Sequence, residues 1–560
     1  MIVKSFFQVA VGHTLCRVLM TLLLVPCALA SEDERARDLL VRNVMLIDPT
    51  GQVEDRRVNI LMRAGLLEVV SADKIARSEA QWVLDAEDGY VLGKLEVGEA
   101  PNFMVLSKDP RENFEVLLDT REFAVFAIHN GTVVRNRLIE VDWHDEEHEP
   151  RTGGWLAYTP PPMAVPMNYR DTSKWNRFES RWISGIVTAA AALDRTSWLT
   201  QNETSLSQFG DLGRLDGGEV RALRFGLYGT LNFKRPWVYA LTGATNSFDK
   251  GFETGNSDSF TLYDWRLDIP FLRHSVMSIG KQKEPISMER LMGLVFLPLT
   301  ERSMVADSLL PARNVGIVWS GHHPQRSSSW AFGVFNNWLG QETSFSEGAT
   351  TWSGRVTWVP FSSPDESNIL HLGLAMRHTN GNRGFRYGSE PEFNKAVNFV
   401  DTNFGGLGTL AADDSSTLNL ELSWRKGPFW LASEYFRTTL DSDGLGDPRF
   451  DGYFVQGSWI LTGEMRGYNK KNGLFGTVPV ARSVYQGGMG AVEVAARYST
   501  VDLDDGAVSG GQSDVASVGV NWWLTPFFAL SANYRYIWNE LGGSKGTTSA
   551  VMTRMLLMLD

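Results

Sequence analysis

The sequence predicts an all-β protein: a sixteen-stranded antiparallel transmembrane β-barrel preceded by a small N-terminal β-sandwich. Three observations predict it. Across residues 170–560, runs about ten residues long alternate apolar and polar side chains with period two, the mark of strands with two chemically different faces. The chain is rich in aromatic residues and glycine, with 19 Trp, 30 Phe and 53 Gly in 560 residues, yet its mean hydropathy is only -0.17. Beyond the N-terminus no run of about 18 apolar residues is present to cross a bilayer as a helix. The same composition excludes collagen-like and disordered classes, and a net charge of -12 excludes a chain-wide basic surface for nucleic acid.

Residues 1–30 read as a secretory signal. Lys4 gives the positive n-region, residues 18–25 (VLMTLLLV) a short apolar core, and Ala28-Leu29-Ala30 a small-x-small cleavage site before Ser31. A lipoprotein box would use Cys27, but the preceding Pro26 fits that box poorly. Cys16 and Cys27 both leave with this segment, so the mature chain is expected to carry no thiol and no disulfide. That suits passage through an oxidising compartment.

Dividing the chain changes the meaning of its charge. Residues 31–150 hold 26 acids and 14 bases, whereas residues 151–560 hold 39 acids and 37 bases. Essentially all the acidity therefore belongs to the first segment. Between the two lies a linker, residues 143–173, with Gly153-Gly154 and Pro160-Pro161-Pro162, a density of breakers that neither a helix nor an interior strand tolerates. His144 and His148 have the i, i+4 spacing of zinc ligands on a helix, but in a solvated acidic linker they read as surface residues.

Residues 31–142 alternate strand-like runs with turns: 39–47, 57–62, 66–70, 82–85, 104–106 and 123–128, with Asn130-Gly131 making a tight hairpin to 132–135. A small β-sandwich follows. Two pieces of this segment resemble the metal-dependent amidohydrolase family. Leu40-Val41-Arg42-Asn43-Val44 with Ile47-Asp48, and residues 85–92, are similar to its N-terminal strands; residues 93–98, 102–106 with Asp109-Pro110, and 125–135 are similar to its C-terminal strands. In that family a catalytic (β/α)₈ barrel lies between them and begins with a His-x-His metal motif. Here Leu92 runs straight into Gly93, and the segment's lone histidine, His129, lies in a hairpin. A hydrolytic zinc site needs three protein ligands and an open position. The segment is therefore expected to be a non-catalytic accessory sandwich without metal, cofactor or enzymatic activity.

In the long second segment, Leu418, Leu420, Leu422 and Trp424 share one face and Asn419, Glu421, Ser423 and Arg425 the other. The pattern recurs at 223–231, 263–269, 315–319, 330–334, 352–358, 370–376, 453–461, 492–498, 518–524 and 528–538. Runs of this length suit tilted membrane strands, and Trp and Tyr at the ends of the apolar faces suit aromatic girdles. Short turns such as Thr525-Pro526 are expected to alternate with long polar loops such as 468–487 and 502–514. Residues 177–192 and 395–401 read as loop. About sixteen runs then occupy the segment, a size that leaves an aqueous channel rather than a packed interior.

The segment resembles the phosphate-selective porin O/P family along nearly its whole length. The resemblance rests on residues 219–229 (EVRALRFGLYG), Gly280-Lys281-Gln282-Lys283-Glu284-Pro285 with Met288-Glu289, Glu301-Arg302-Ser303, Arg313-Asn314-Val315-Gly316, 450–464 (FDGYFVQGSWILTGE) and 492–500 with Asp502-Leu503. It implies a trimeric outer-membrane channel for small anions, phosphate or polyphosphate among them, with the N-terminal module in the periplasm. It also implies that residues 284–312 form an inward-folded constriction loop.

Alternation places Arg224, Arg266, Arg355, Arg377, Arg425, Arg497 and Arg535 on the lumen wall, against Asp264, Asp268, Glu421 and Glu493. The wall is thus modestly basic, and arginine's planar fork suits oxyanions. Lys281, Lys283, Arg302 and Arg313 flank the constriction loop and are the candidate anion path; the competing reading is that they pair with Glu284, Glu289 and Glu301. Outer-membrane barrels usually end in an aromatic residue, whereas this chain ends Leu557-Met558-Leu559-Asp560, which leaves the final strand 551–559 less secure. Two functions compete with a porin: an amidohydrolase-type hydrolase acting on carbon–nitrogen bonds, and a structural outer-membrane protein that binds a partner. Neither His-Glu-x-x-His nor a phosphate-cradling Gly-x(4)-Gly-Lys-Ser/Thr motif is present, and His322-His323 falls at a turn. Mass spectrometry of the exported protein should place its mature N-terminus near Ser31.

Overall fold

The computed structural model describes residues 38–140 and 176–559, except 48–54, 76–79, 113–115, 117–122, 246–260, 338–347 and scattered positions of one or two residues. The expected signal at 1–30 and linker at 143–173, including His144 and His148, lie outside the described residues.

The N-terminal module contains β1 (Leu39–Leu46), β2 (Arg56–Arg63), β3 (Leu66–Ser71), β4 (Trp82–Asp85), β5 (Tyr90–Lys94), β6 (Asn102–Leu106), β7 (Ala124–His129), β8 (Thr132–Asn136) and β9 (Ile139–Glu140). They form one hydrogen-bonded sheet in the order β3-β2-β1-β5-β6-β7-β8, with β4 parallel to β1 and β9 paired to β4. Period-two alternation sends Val41, Ile60, Leu84, Phe103 and Phe126 into one apolar cluster and Leu40, Leu61 and Val83 into another. The strand β5 runs without interruption from Leu92 into Gly93, in register with Met104 and Phe103. The place where the resemblance would require a catalytic barrel is thus a single peptide bond inside a strand. Gly93 has φ +143°, and a Cβ there would lie 2.4 Å from the Asn102 carbonyl oxygen, so the junction itself demands glycine.

The second sheet begins with β10 (Arg177–Glu179), β11 (Ile183–Gln201), β12 (Gly217–Leu231), β13 (Trp237–Thr245), β14 (Thr261–Pro270) and β15 (Ser275–Gln282). It continues through β16 (Asn314–His323), β17 (Ser328–Asn336), β18 (Thr350–Ser362) and β19 (Asn368–Asn380). Two short strands, β20 (Gly388–Ser389) and β21 (Val400–Asp401), pair with each other before β22 (Asp414–Lys426), β23 (Phe429–Asp441) and β24 (Arg449–Ile460). A second small pair, β25 (Tyr468–Asn469) and β26 (Leu474–Phe475), precedes β27 (Ala491–Asp505), β28 (Val508–Thr525), β29 (Phe528–Leu541) and β30 (Ser544–Leu559). Every neighbouring pair is antiparallel, and β11 pairs with β30 from Ala189↔Leu559 to Gln201↔Thr548. The result is a closed antiparallel barrel of sixteen strands, with no edge left to solvate in a membrane.

Three local expectations are corrected. Residues 177–192 are not loop: they hold β10 and the first half of β11. The run Ala189-Ala190-Ala191-Ala192 erases the apolar–polar contrast, so the strand is set by its two partners rather than by its own pattern. Below the end of β30, the open edge of β11 is taken by β10, which pairs Phe178 with Gly185. Residues 502–514 are also strand, because β27 and β28 turn over at Gly506, whose φ is +58°. The last strand is paired along both edges, with β29 and with β11.

The burial pattern decides the environment. In β22, Ser415, Thr417, Asn419, Glu421, Ser423 and Arg425 are buried, while Leu420, Leu422 and Trp424 stand exposed. Phe225, Trp352, Trp358, Leu374, Met376, Phe429 and Val520 are likewise exposed. A water-soluble sheet would do the reverse, so the outer face is built for hydrocarbon. Indoles at its margin keep their N–H groups bonded: Trp424 donates to Asn368 Oδ1 at 2.8 Å and Trp522 to the Met489 carbonyl at 2.7 Å.

One end of the barrel carries short turns and the other carries most of the longer connections. The segment 461–490, between β24 and β27, is the exception: it is long yet starts from the short-turn end. It folds inward, as do residues 283–313 after β15 and 381–413 after β19. The lumen is therefore not the open channel that its size alone suggests. Met304, Leu309, Phe393 and Phe399 of two infolded segments pack with Phe436, Phe450, Phe454 and Ile537 of the wall, and Met288, Leu291, Tyr468 and Phe475 pack with Val318, Phe335 and Trp430. Introducing a cation on the outer face should be costly. Leu420→Arg is expected to destabilise the barrel by roughly 2–4 kcal/mol, read as loss of the heat-modifiable folded band on electrophoresis.

Candidate functional site

Every wall arginine read from the alternation faces the lumen, and most of them fasten an infolded segment. Arg355 makes two hydrogen bonds of 2.7 Å to Glu421 and donates to the carbonyls of Asn472 at 2.7 Å and Gly473 at 3.0 Å. His371 links Glu421, at 3.0 Å, to the Tyr468 hydroxyl, at 2.6 Å. Arg425 donates to the carbonyls of Arg466 and Glu366, and Arg466 pairs with Glu493 at 2.6 Å. These contacts hold the segment 461–490 against β18, β19, β22 and β27. Arg377 bonds Glu284 at 2.8 Å, and Arg497 bonds Glu289 at 3.1 Å and Glu392 at 2.6 Å. Arg535 donates to Thr300 Oγ1 at 3.0 Å, and Arg266 pairs with Asp268 at 3.1 Å. Five donors in a rigid fork allow one guanidinium to satisfy a wall carboxylate and loop carbonyls together. The wall arginines are thus mostly clamps, and their charge is largely cancelled.

A second group of bases gathers around a tyrosine. Tyr263 of β14 is flanked by two guanidiniums, Arg313 at 3.4 Å and Arg224 at 4.9 Å from its ring centroid. Arg313 also pairs with Asp264 at 2.6 Å. Opposite them, Lys283 donates to the carbonyls of Leu291 at 3.1 Å and Met292 at 2.8 Å, and Arg302 to that of Met292 at 3.0 Å. Arg290 holds the carbonyls of Ala306 and Leu310 and pairs with Asp307 at 2.9 Å. Carbonyls satisfy a cation's donors without neutralising it, and among the described residues five bases gather here beside the carboxylates of Asp264 and Asp307, with Glu289 near Arg302. The crowding has an electrostatic signature: burial, reinforced by Arg302 and Arg313, pushes the Lys283 ammonium well below the ordinary lysine range.

Of the four bases expected on an anion path, Lys283, Arg302 and Arg313 converge on this patch. Lys281 does not. It shares the outward face of β15 with Ile279 and Met277, opposite Trp265 and Val315, and its ammonium lies 3.5 Å from the Leu262 carbonyl. The Gly280 before it, at φ +132°, lies beneath Trp265 where a Cβ would be 2.0 Å from a carbonyl oxygen. Tyr263 was hidden by strict alternation; the register shift between β13 and β14 turns it inward beside Asp264. A shift between β11 and β12 does the same for Arg221. Arg290, Glu392 and Arg466 lie in connections, where no periodicity marks a facing direction.

The constriction segment is also fastened across the barrel seam. Glu301 accepts from Arg221 of β12 at 2.8 and 2.9 Å and from Arg554 of β30 at 2.7 Å, and Arg554 bonds Asp194 of β11 at 2.7 and 2.8 Å. Burial alone would raise the Glu301 pKa, but Arg221 and Arg554 outweigh it and bring it down to about 2. Among the described residues no group of three His, Cys, Asp or Glu side chains is arranged to hold a metal ion.

A model of the family "Phosphate-selective porin O and P" matches residues 207–558. This chain belongs to that family. It is an outer-membrane β-barrel of the porin kind, and the channel family replaces the hydrolase among the functions the sequence left open. Porin O of Pseudomonas aeruginosa is 30% identical over 146 residues, 23% of this chain and 32% of that one. An uncharacterized protein of Caulobacter vibrioides is 23% identical over 341 residues, 58% of this chain and 63% of that one. The matches thus span less than two thirds of either relative's length. Solved structures with similarity include an anion-selective porin from Comamonas acidovorans, 14% identical with a TM-score of 0.43 over 67% of this chain and 99% of that one. OmpT of Vibrio cholerae gives 10% and 0.41 over 68% and 99%.

The Glu301 clamp sets a pH dependence. Its folded pKa of about 2 lies below the ordinary 4.5, so its contribution to stability is complete above pH 4.5 and is lost as pH falls towards 2. Tryptophan fluorescence during acid titration of the porin should stay flat down to about pH 4 and change below it; Glu301→Gln should remove that transition.

Proposed function

We propose that this porin is a passive outer-membrane channel for small anions, phosphate among them. The observation that carries the reading is the basic patch around Tyr263, where Lys283, Arg224, Arg290, Arg302 and Arg313 gather beside Asp264 and Asp307. A ring of fixed positive charge at a constriction sets the sign of the permeating ion, and guanidiniums beside a tyrosine hydroxyl suit an oxyanion. The net charge of -12 is no obstacle, because it is carried by residues 31–150 and not by the barrel.

The assembly we infer is a homotrimer in outer-membrane lipid, as membership of the family leads one to expect. Residues 31–142 are read as a non-catalytic accessory module in the periplasm. Support for that side comes from topology: the chain enters the barrel through β10 and β11 at the short-turn end.

In planar bilayers, the purified porin should give reversal potentials of anion sign in a KCl gradient. Replacing Arg302 and Arg313 by alanine should move the reversal potential towards zero. Phosphate should reduce chloride conductance in the wild type and less so in the double variant. Cation selectivity of the wild type would overturn the reading.

A further inference from the structure

We infer that Glu392 is a positioning residue for the constriction, a latch that ties two infolded segments to the wall and screens two arginines from the permeating ion. The inference rests on the channel reading and names a determinant of its conductance and selectivity.

Glu392 lies in the segment 381–413, and its carboxylate meets five donors from four other elements. Oε2 accepts from Arg497 Nη2 of β27 at 2.6 Å and from the Ser517 hydroxyl of β28 at 2.9 Å, with Arg535 Nε of β29 at 3.4 Å. Oε1 accepts from the Ser499 hydroxyl of β27 at 2.6 Å and from the backbone N–H of Met304 at 3.3 Å. Met304 begins the short helix Met304–Leu309 of the constriction segment. One side chain therefore joins three consecutive wall strands to both infolded segments.

The backbone is held in tension with this role. Glu392 has φ +61°, a left-handed conformation that non-glycine residues avoid unless their contacts enforce it. Its neighbour Phe393 packs under Arg535 at 4.5 Å and against Trp198 at 5.3 Å, so the segment is gripped at two successive residues. Arg497 also bonds Glu289, which in turn accepts from the backbone N–H and hydroxyl of Ser303, the residue capping the same helix. Two carboxylates thus share one guanidinium at the root of the constriction. Burial alone would favour protonation of Glu392, but Arg497 and Arg535 prevail and hold its pKa below the ordinary value. The charged form of the latch is thereby favoured over the protonated one.

Removing the carboxylate has two linked effects. The segments 283–313 and 381–413 lose their common anchor, and Arg497 and Arg535 lose a counter-charge inside the lumen. Single-channel recording of Glu392→Ala should show a higher and noisier conductance, with the reversal potential in a KCl gradient shifted further towards the anion limit. Glu392→Gln keeps the acceptor but not the charge, and should reproduce the selectivity shift with a smaller rise in conductance. Glu392→Asp should move both values back towards wild type. A folded Glu392→Ala channel with wild-type conductance and reversal potential would overturn the proposal. Should that variant fail to fold, the Ser499→Ala, Ser517→Ala pair loosens the latch without altering charge. It should raise conductance while leaving selectivity in place, and wild-type conductance in that pair would be equally fatal. Wild-type protein that conducts no ions at all would remove the channel reading itself, which separates the two failures.

Discussion

Within hydrocarbon every backbone N–H and C=O must find its partner inside the protein, and the seam between β11 and β30 is where this chain meets that demand. Once the sheet closes, each strand has one face towards lipid and one towards an enclosed space. The sequence must then reverse the usual rule of burial. Leucine and tryptophan stand outward, and serine, asparagine, glutamate and arginine are packed within. What reads as ordinary alternation in a string of letters becomes, through closure, a chemically inverted molecule.

An enclosed polar wall creates the next problem, because a wide barrel does not fill itself. The solution here is to fold three connections inward and fasten them with arginine. Arg355, Arg497 and Arg554 each span a wall carboxylate and a loop carbonyl, or two carboxylates from different elements, and Arg425 spans two carbonyls from different connections. A buried carboxylate left without its arginine would face a desolvation cost of several kcal/mol, so the clamps and the loops depend on one another. Around Tyr263, by contrast, several cations are held by carbonyls and gather into a basic patch.

Much of this was legible before any coordinates. Strand number, closure into a membrane barrel, the inward set of arginines and the infolding of residues 284–312 follow from period two and from resemblance to the porin family. The misses have physical causes. A run of four alanines gives no contrast between faces, so the first barrel strand was invisible until its neighbours were placed. Register shifts carry Tyr263 and Arg221 inward against their parity, and the outward turn of Lys281 is equally hard to foresee from a basic stretch alone. Glu392 and Arg466 lie in connections, where direction is set by tertiary contacts such as Arg466 with Phe296, 170 residues away, and Glu392 with Ser517, 125 residues away. For residues 31–142, β5 turned a gap inferred from resemblance into a continuous strand.

The seam also imposes an order in time. Asp194 and Arg554 are 360 residues apart in sequence, and bringing such distant segments together is the slowest kind of contact for a chain to make. Glu301 has one arginine on each side of that seam. Its hold on the constriction segment can be completed only after the two ends of the sheet have met. The infolded segment 283–313 is therefore among the last features of this porin to be secured, and a barrel halted one strand short of closure would be left with that segment half-fastened.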